Sequence, residues 1–388
     1  MISKKNILFI HAGAELYGAD KILYILTKGL VDRNWIVSVV LPWNGKLKES
    51  LVSAGVKVLI INHGVLRRKY FTPCGLVDRL HRIVKSGISI ARIVREQDIG
   101  IIHTNTSVVF AGALAAKLAK IPHVWHIHEI TTRPKTVWRA LSWLIPRLAD
   151  RVVCVSSAVL AHLVAGNMAN AAQGQVLHNG IQPMKATAEE IQSVSNELAL
   201  SKKDVIVGMV GRVNGWKGQM VLADAAELIL SRCPNVRFLF VGGTFSGEEH
   251  LLISLRKRVN TGLLTDKITV LEFRNDVSAI MSNLDIFVLP STQPDPLPTV
   301  VLEAMSLGCP VVGFAHGGIC EMVANNKTGI LVTPCDITEM ANAIERLVND
   351  ESLRRRYGEA GRLRFNESFS IDTFLDKFES VYKNIINH

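Results

Sequence analysis

Aromatic side chains make up only 6% of the 388 residues. No uninterrupted apolar run reaches the roughly 18 residues that a membrane-spanning helix needs, so any bilayer contact is expected to be peripheral. The six cysteines, at positions 74, 154, 233, 309, 320 and 335, show no C-x-x-C pair. Lys4 and Lys5 lead only into a short apolar run, Asn6 to Ile10, and not into a secretory leader. A reducing, cytoplasmic setting is therefore expected. Low-complexity tracts and internal repeats are missing too. What is present, 48% apolar and 20% charged residues, excludes a disordered or collagen-like chain and suffices for two domains with their own cores.

Acidic residues are scarce in the first half. Residues 1–185 hold 24 Lys and Arg against 9 Asp and Glu, whereas the remainder holds 20 against 25. A cationic first half predicts an anionic partner: nucleic acid, a membrane face or a phosphorylated substrate. The run Leu66 to Tyr70, LRRKY, precedes a segment, Val77 to Arg95, in which Arg79, Arg82, Lys85, Arg92 and Arg95 alternate with Leu80, Ile83, Val84, Ile88, Ile90, Ile93 and Val94. A helix of that pattern suits an anionic lipid surface.

Short β-rich runs alternate with longer amphipathic ones. NILFIH, WIVSVVL, VKVLIIN, IGIIHT, HVWHIH, RVVCVS and QVLHN form one series, and DVIVGMVG, VRFLFVGG, KITVLEF, DIFVLPS, PVVGF and TGILVT a second. This alternation predicts two parallel, doubly wound sheets. A polar stretch without a strand pattern separates them near 182–203. A helix is expected around 351–366, and Phe374, Phe378, Val381, Ile385 and Ile386 are spaced as one face of another.

In the second half, LPSTQPDPLPTVVLEAMSLGCPVV reads as a strand end, a proline-rich loop and a helix starting near Thr299. Ligands of doubly wound sheets bind at that edge. Helical spacing puts Glu303 one turn beyond Thr299, so free amides and a carboxylate can share one ligand. Helix starts attract phosphate, and carboxylates accept hydrogen bonds from a diol such as ribose. Asp295 stands eight residues earlier. VGMVGRVNGWKGQ ends a strand at Gly211 and offers Arg212 and Lys217 to a leaving diphosphate.

In the first half, HVWHIHEI puts His126 and His128 on one strand face with Glu129 next, but no fourth ligand is visible and no metal is expected. The loop HAGAELYGADK offers Gly13, Gly18 and Ala19 as backbone amides. Glu15 or Asp20 can orient an acceptor hydroxyl or stabilise the following helix start.

GRVNGWKG, the Asp295 and Glu303 pair and LEAMSLGCPVV together resemble the retaining, GT-B-fold glycosyltransferases of family 4. HAGAELYGAD, HNGI at 178–181 and LFVGG at 239–243 fall in the same order and spacing. The resemblance implies an α/β GT-B fold, two Rossmann-like domains facing across a cleft. It would place an acceptor-binding domain over 1–182, a linker over 183–203 and a nucleotide-sugar-binding domain over 204–369. The helix of 370–388 is expected to pack back on the first domain.

The implied activity is retaining, metal-independent and cofactor-free transfer of a hexose or deoxyhexose from a UDP- or GDP-sugar. The acceptor would be a glycan, lipid-diphosphate-linked, of a bacterial O-antigen, capsule or exopolysaccharide, at the anionic inner face of the cell membrane. By the same resemblance, Gly211, Arg212 and Lys217 meet the diphosphate, Glu303 the ribose, and Phe273 with Arg274 the base. Asp295 and the backbone of Leu297, Pro298, Thr299 and Val300 face the sugar and phosphates. His128 meets the donor sugar, and Gly13, Glu15, Tyr17, Gly18 and Asp20 line the acceptor side. Two departures stand out: the family's first acid is usually glutamate, and Gly-Phe-Gly usually occupies positions 296–298.

Two alternatives compete. A nucleotide-sugar epimerase shares the architecture but needs an acid/base pair placed for elimination, and Arg212, Lys217 and Glu303 suit transfer better. A basic nucleic-acid-binding protein would carry an aromatic RNA-binding signature or a helix-turn-helix, and neither occurs, so no nucleic acid is expected as partner.

Overall fold

Aliphatic runs such as Ile-Val-Ser-Val-Val-Leu, apolar at nearly every position, suit strands buried on both faces. In the computed structural model, which describes residues 5–16, 18–168, 173–201 and 203–386, they form two parallel sheets. The chain divides into two units, Met1–Gly180 with Ile371–His388, and Ile181–Ser370.

The first unit contains β1 (Asn6–His11), β2 (Ile36–Leu41), β3 (Lys57–Ile60), β4 (Ile101–Asn105), β5 (His123–Ile127), β6 (Arg151–Cys154) and β7 (Gly174–Val176). Their order is β3-β2-β1-β4-β5-β6-β7, and every pairing is parallel. Leu8 and Ile10 of β1 join Ile90, Ala91 and Val94 of the helix Pro73–Glu96 and Ala115 of the helix Ala111–Ala119 in one core. The alternate residues Phe9 and His103 face the other way, toward Phe378 and Tyr382 of the helix Ile371–Ile386.

That last helix rests on the helix Gly18–Asp32, where Leu375 lies so close to Gly29 that a Cβ there has no room. Arg33 anchors it through Asp376 at 2.6 Å and Glu379 at 3.2 Å. Trp35 Nε1 donates to Glu379 at 2.7 Å.

The second unit contains β8 (Val205–Val210), β9 (Val236–Val241), β10 (Ile268–Leu271), β11 (Ile286–Leu289), β12 (Val311–Phe314) and β13 (Gly329–Val332). The order is β10-β9-β8-β11-β12-β13, again all parallel. Ile181 and Ser370 form a parallel bridge, so the chain enters and leaves this unit at one place. The stretch read as a linker over 183–203 holds a helix, Ala188–Glu197. Its Thr187 side chain accepts from Glu190 N while Glu190 reaches back to Thr187 N, a reciprocal cap.

Each strand order reverses once, between β1 and β4 in the first unit and between β8 and β11 in the second. Beyond the carboxyl ends of such a strand pair the following loops diverge to opposite faces and leave a crevice suited to ligands.

Candidate active site

At the second sheet's reversal, the loop after β8 is folded by Asn214, whose Oδ1 accepts from Trp216 N at 3.1 Å and Lys217 N at 2.9 Å. This turn aims Lys217 at the loop after β11, where its Nζ donates to Asp295 Oδ2. The two loops are tied again by Thr292 N, which donates to the Trp216 carbonyl at 2.7 Å. Gly218, at φ +88°, caps the helix Gln219–Leu230, and a Cβ there would strike the Pro290 carbonyl oxygen.

Arg212 lies with its guanidinium 3.5 Å from the centre of the Phe245 ring, and its carbonyl accepts from Gln219 Nε2 at 2.9 Å. Gly211 stands against Gly242, where a side chain on the latter would strike the Gly211 carbonyl.

The helix Thr299–Ser306 starts at Pro298 with no side chain capping its amides. Leu297 and Pro298 are buried, whereas Thr299, Val300 and Glu303 are half-buried. Gly318 N donates to the Asp295 carbonyl at 2.8 Å, and Gly317, at φ +69°, lies against the Asp295 backbone. His316 Nε2 donates to the Ser291 carbonyl at 2.7 Å. The sequence Phe-Ala-His-Gly-Gly at the end of a strand is the local signal for this brace.

Phe273 is exposed and lies beside Gly243. Arg274 is engaged elsewhere: Glu197 binds it at 2.6 and 2.8 Å and Asp276 at 2.9 and 2.6 Å. Those carboxylates raise its already high pKa. Its side chain joins the helix Ala188–Glu197 to the loop after β10.

At the first sheet's reversal, His11 ends β1 and Asn105 ends β4, and they are register partners. His11 Nε2 meets Asp20 Oδ1 at 2.6 Å, and Asn105 Nδ2 meets His11 Nδ1 at 3.0 Å. Asn105 Oδ1 meets His128 Nε2 at 2.8 Å, and His128 and His126 stack with ring centres 4.0 Å apart. Burial holds His126 and His128 well below the usual histidine range, with the neighbouring ring adding to the effect. Burial likewise pushes the Glu129 carboxyl up, although Ser107 N and His128 N both donate to it.

The Asp20 carboxylate is also occupied by Leu16 N at 2.9 Å, which holds Leu16 at φ +102°. A Cβ at Gly13 would lie 2.9 Å from Asp20 Oδ1, so glycine leaves that carboxylate its place. Gly18 begins the following helix and Glu15 is exposed, whereas Tyr17 lies outside the described residues. His11 and Asn105 were not singled out from sequence. Among the described residues no group of three or more His, Cys, Asp or Glu side chains is placed to hold a metal ion.

The Glycosyltransferase Family 4 profile matches residues 17–185, and the Glycosyl transferases group 1 profile matches residues 190–364. The chain belongs to the family 4 glycosyltransferases. The sequence of this glycosyltransferase is 28% identical over 335 residues to the Escherichia coli UDP-Gal:alpha-D-GlcNAc-diphosphoundecaprenol alpha-1,3-galactosyltransferase, covering 82% of this chain and 84% of that one. It is 29% identical over 315 residues to alpha-maltose-1-phosphate synthase of Mycolicibacterium smegmatis, covering 74% and 79%.

Among solved structures, Anabaena HepE in complex with UDP superposes with a TM-score of 0.84 at 25% identity, covering 98% of this chain and all of that one. A Rickettsia africae glycosyltransferase reaches 0.86 at 20% identity, with 98% and 99% coverage. The fold is GT-B.

Proposed function

We propose that this glycosyltransferase moves a hexose or deoxyhexose from a UDP-sugar, with retention at the anomeric carbon, to a lipid-diphosphate-linked glycan of a bacterial surface polysaccharide. The observation that carries the reading is the Lys217–Asp295 pair at the reversal of the second sheet, with Arg212 in the same loop. A nucleoside diphosphate arriving at the uncapped start of the helix Thr299–Ser306 meets free amides, Lys217 and Arg212. Glu303 then serves the ribose. The backbone amides of Leu297, Thr299 and Val300 face the phosphates, Pro298 setting the helix start, and Phe273 lies beside the base.

In the reaction the anomeric carbon parts from the diphosphate oxygen, and the acceptor oxygen bonds to that carbon on the same face. The acceptor proton passes to the departing diphosphate oxygen. Lys217 and Arg212 stabilise the charge on the leaving group, so the cationic side chains fill the role for which a metal ion would otherwise be used. Asp295 faces the donor sugar within the second unit, and in the first unit His128 is the residue offered to a substrate sugar. UDP is favoured over GDP because HepE, at 25% identity, has been solved with UDP and with UDP-glucose. The lipid-linked acceptor follows the E. coli relative, whose name specifies a diphosphoundecaprenol substrate.

The helix Pro73–Glu96 supports work at the anionic inner membrane face. Leu76, Val77, Leu80, Val84 and Ile88 form an exposed apolar stripe, beside exposed Lys85 and Arg92. Arg79, counted with the basic face from sequence, is instead buried under the Tyr70 ring. Among the described residues no helix is long and apolar enough to cross a membrane.

Calorimetry with UDP, GDP, ADP and dTDP tests the donor reading. UDP bound in preference to the others and weakened in Lys217→Ala supports it, and absence of binding by all four overturns it. The anomer of the product made from a UDP-sugar, read by NMR, decides between retention and inversion.

A further inference from the structure

The contacts at the first sheet's reversal form one continuous chain: Asp20, His11, Asn105, His128, His126. Its links are 2.6, 3.0, 2.8 and 3.2 Å long. His11, Asn105 and His126 are at most 1% exposed, so water does not compete for these atoms. Every link therefore needs one donor and one acceptor.

The carboxylate of Asp20 has only lone pairs to offer, so the nitrogen facing it, His11 Nε2, carries the proton. With a single proton on the His11 ring, Nδ1 keeps a lone pair; of the two Asn105 groups facing it, Nδ2 at 3.0 Å and the backbone carbonyl oxygen at 3.2 Å, only the amide nitrogen can donate to it. That lone pair requires the amide NH2 of Asn105 opposite it, and the Asn105 oxygen must then face His128. An amide oxygen accepts, so His128 Nε2 carries the proton. His126 Nδ1, 3.2 Å from the same nitrogen, is a second acceptor for it. Run in the opposite sense, the chain would point a lone pair of His11 at a carboxylate.

We propose that Asp20 is a positioning residue that, through His11 and Asn105, fixes the tautomer of His128 and leaves Nδ1 of His128 as a hydrogen-bond acceptor for a sugar hydroxyl. The proposal deepens the reading under which His128 meets a substrate sugar, and it rests on that reading for the word substrate. The tautomer itself is a property of the free protein. Gly13 belongs to the same device, since it leaves room for the Asp20 carboxylate.

Asp20→Asn is the decisive variant because Leu16 N donates to the other carboxylate oxygen at 2.9 Å. In the variant that backbone amide retains the side-chain oxygen, which turns the new NH2 toward His11 and reverses every donor and acceptor down to His128. The measurement is a long-range proton–nitrogen spectrum of the substrate-free full chain labelled with ¹⁵N-histidine. The His128 signals are identified by their loss in His128→Gln.

We expect a protonated Nε2 and a bare Nδ1 in the unsubstituted protein, and a protonated Nδ1 in Asp20→Asn. We also expect a fall of about tenfold or more in kcat, with UDP affinity unchanged. A protonated Nδ1 in the unsubstituted protein overturns the proposal whether or not any variant folds. An unchanged His128 tautomer in folded Asp20→Asn overturns it as well. Failure of the protein to bind any nucleotide would instead remove the proposed function, and the spectrum would still decide the tautomer.

Discussion

Lys217 and Asp295, 78 positions apart, meet as an ion pair at the point where the second sheet's strand order reverses, and their side chains are only 16% and 13% exposed. Neither sits on a regular element; each is set by its loop, one folded by Asn214 and the other braced by Gly317 and Gly318. In the free protein each supplies the other's counter-charge. A diphosphate would compete with Asp295 for Lys217, so the pair stores the cation in position at little cost until the ligand arrives.

From this competition the two single substitutions should act in opposite ways on binding. Lys217→Ala removes the cation and leaves Asp295 alone in a mostly buried place. UDP binding should weaken by about 10- to 100-fold, the scale of one or two charge-assisted hydrogen bonds. Asp295→Asn frees Lys217, so UDP binding should hold or tighten while turnover falls. Calorimetry and steady-state turnover on the two variants check this. Equal weakening in both would mean that Asp295 supports the loop and does not compete with the ligand.

Gly218 and Gly247 share nearly the same backbone angle, φ +88° and +90°, but only Gly218 has a neighbour where its Cβ would be. Alanine at either position is strained, by about 1 to 3 kcal/mol. At Gly218 it must also push the Pro290 carbonyl away, which moves the loop that carries Asp295. Gly218→Ala is expected to lower both the melting temperature and UDP affinity, and Gly247→Ala the melting temperature alone. Loss of UDP affinity in both would show strain without a role for the Pro290 contact.

Both sheets, the helix starting at Thr299 and the residues Lys217 and Asp295 are legible in the sequence because each is signalled within a few neighbouring positions. Their meeting is not, since strand order brings β8 beside β11 and no local pattern encodes it. Asn105 shows the same limit. It looks like an ordinary polar strand end until the register sets it opposite His11, 94 positions away. The resemblance puts Arg274 beside the base, yet Glu197 claims it from a stretch that lacks a strand pattern. There a local signal did exist, since Thr187 and Glu190 have the spacing of a reciprocal helix cap.

Buried histidines make the first unit sensitive to acid. Burial pushes His63 and His123 down to about 4, from an unfolded value of about 6.5. Below 6.5 the unfolded chain takes up protons that the native state refuses, so stability is full above that pH and drains away as pH falls toward 4. Each of the two should cost on the order of 2 kcal/mol between pH 7 and pH 5. Five of the six tryptophans, Trp35, Trp43, Trp125, Trp138 and Trp143, belong to this unit, so intrinsic fluorescence during urea unfolding reports mainly on it. His63→Gln keeps a donor for the His11 carbonyl, which His63 Nε2 meets at 2.9 Å, and does not titrate. Its stability loss from pH 7 to 5 should be smaller by about that amount. An equal loss would mean that His63 is not held neutral by the fold.

The membrane reading turns on the exposed apolar first turns of one helix. Ser86, Gly87, Ile90, Ala91 and Val94 of the helix Pro73–Glu96 are buried, yet Val77 and Leu80 in its first turns are 69% and 62% exposed. Residues 65–168 carry 15 Lys and Arg against 5 Asp and Glu, so the layer around the stripe repels cationic surfaces and attracts anionic ones. The helix follows β3 and returns to the start of β4. Its first turns therefore lie toward the sheet edge that holds His11 and Asn105, and His63, in the connecting loop, touches the His11 carbonyl. A lipid-anchored acceptor docked on those turns would present its head group near that edge. Val77→Glu with Leu80→Glu should abolish co-sedimentation with vesicles containing anionic phospholipid, while leaving UDP affinity and melting temperature unchanged. Binding of the unsubstituted protein should weaken with salt and vanish on vesicles of neutral lipid alone. Undiminished binding by the double variant would move the membrane contact away from this helix.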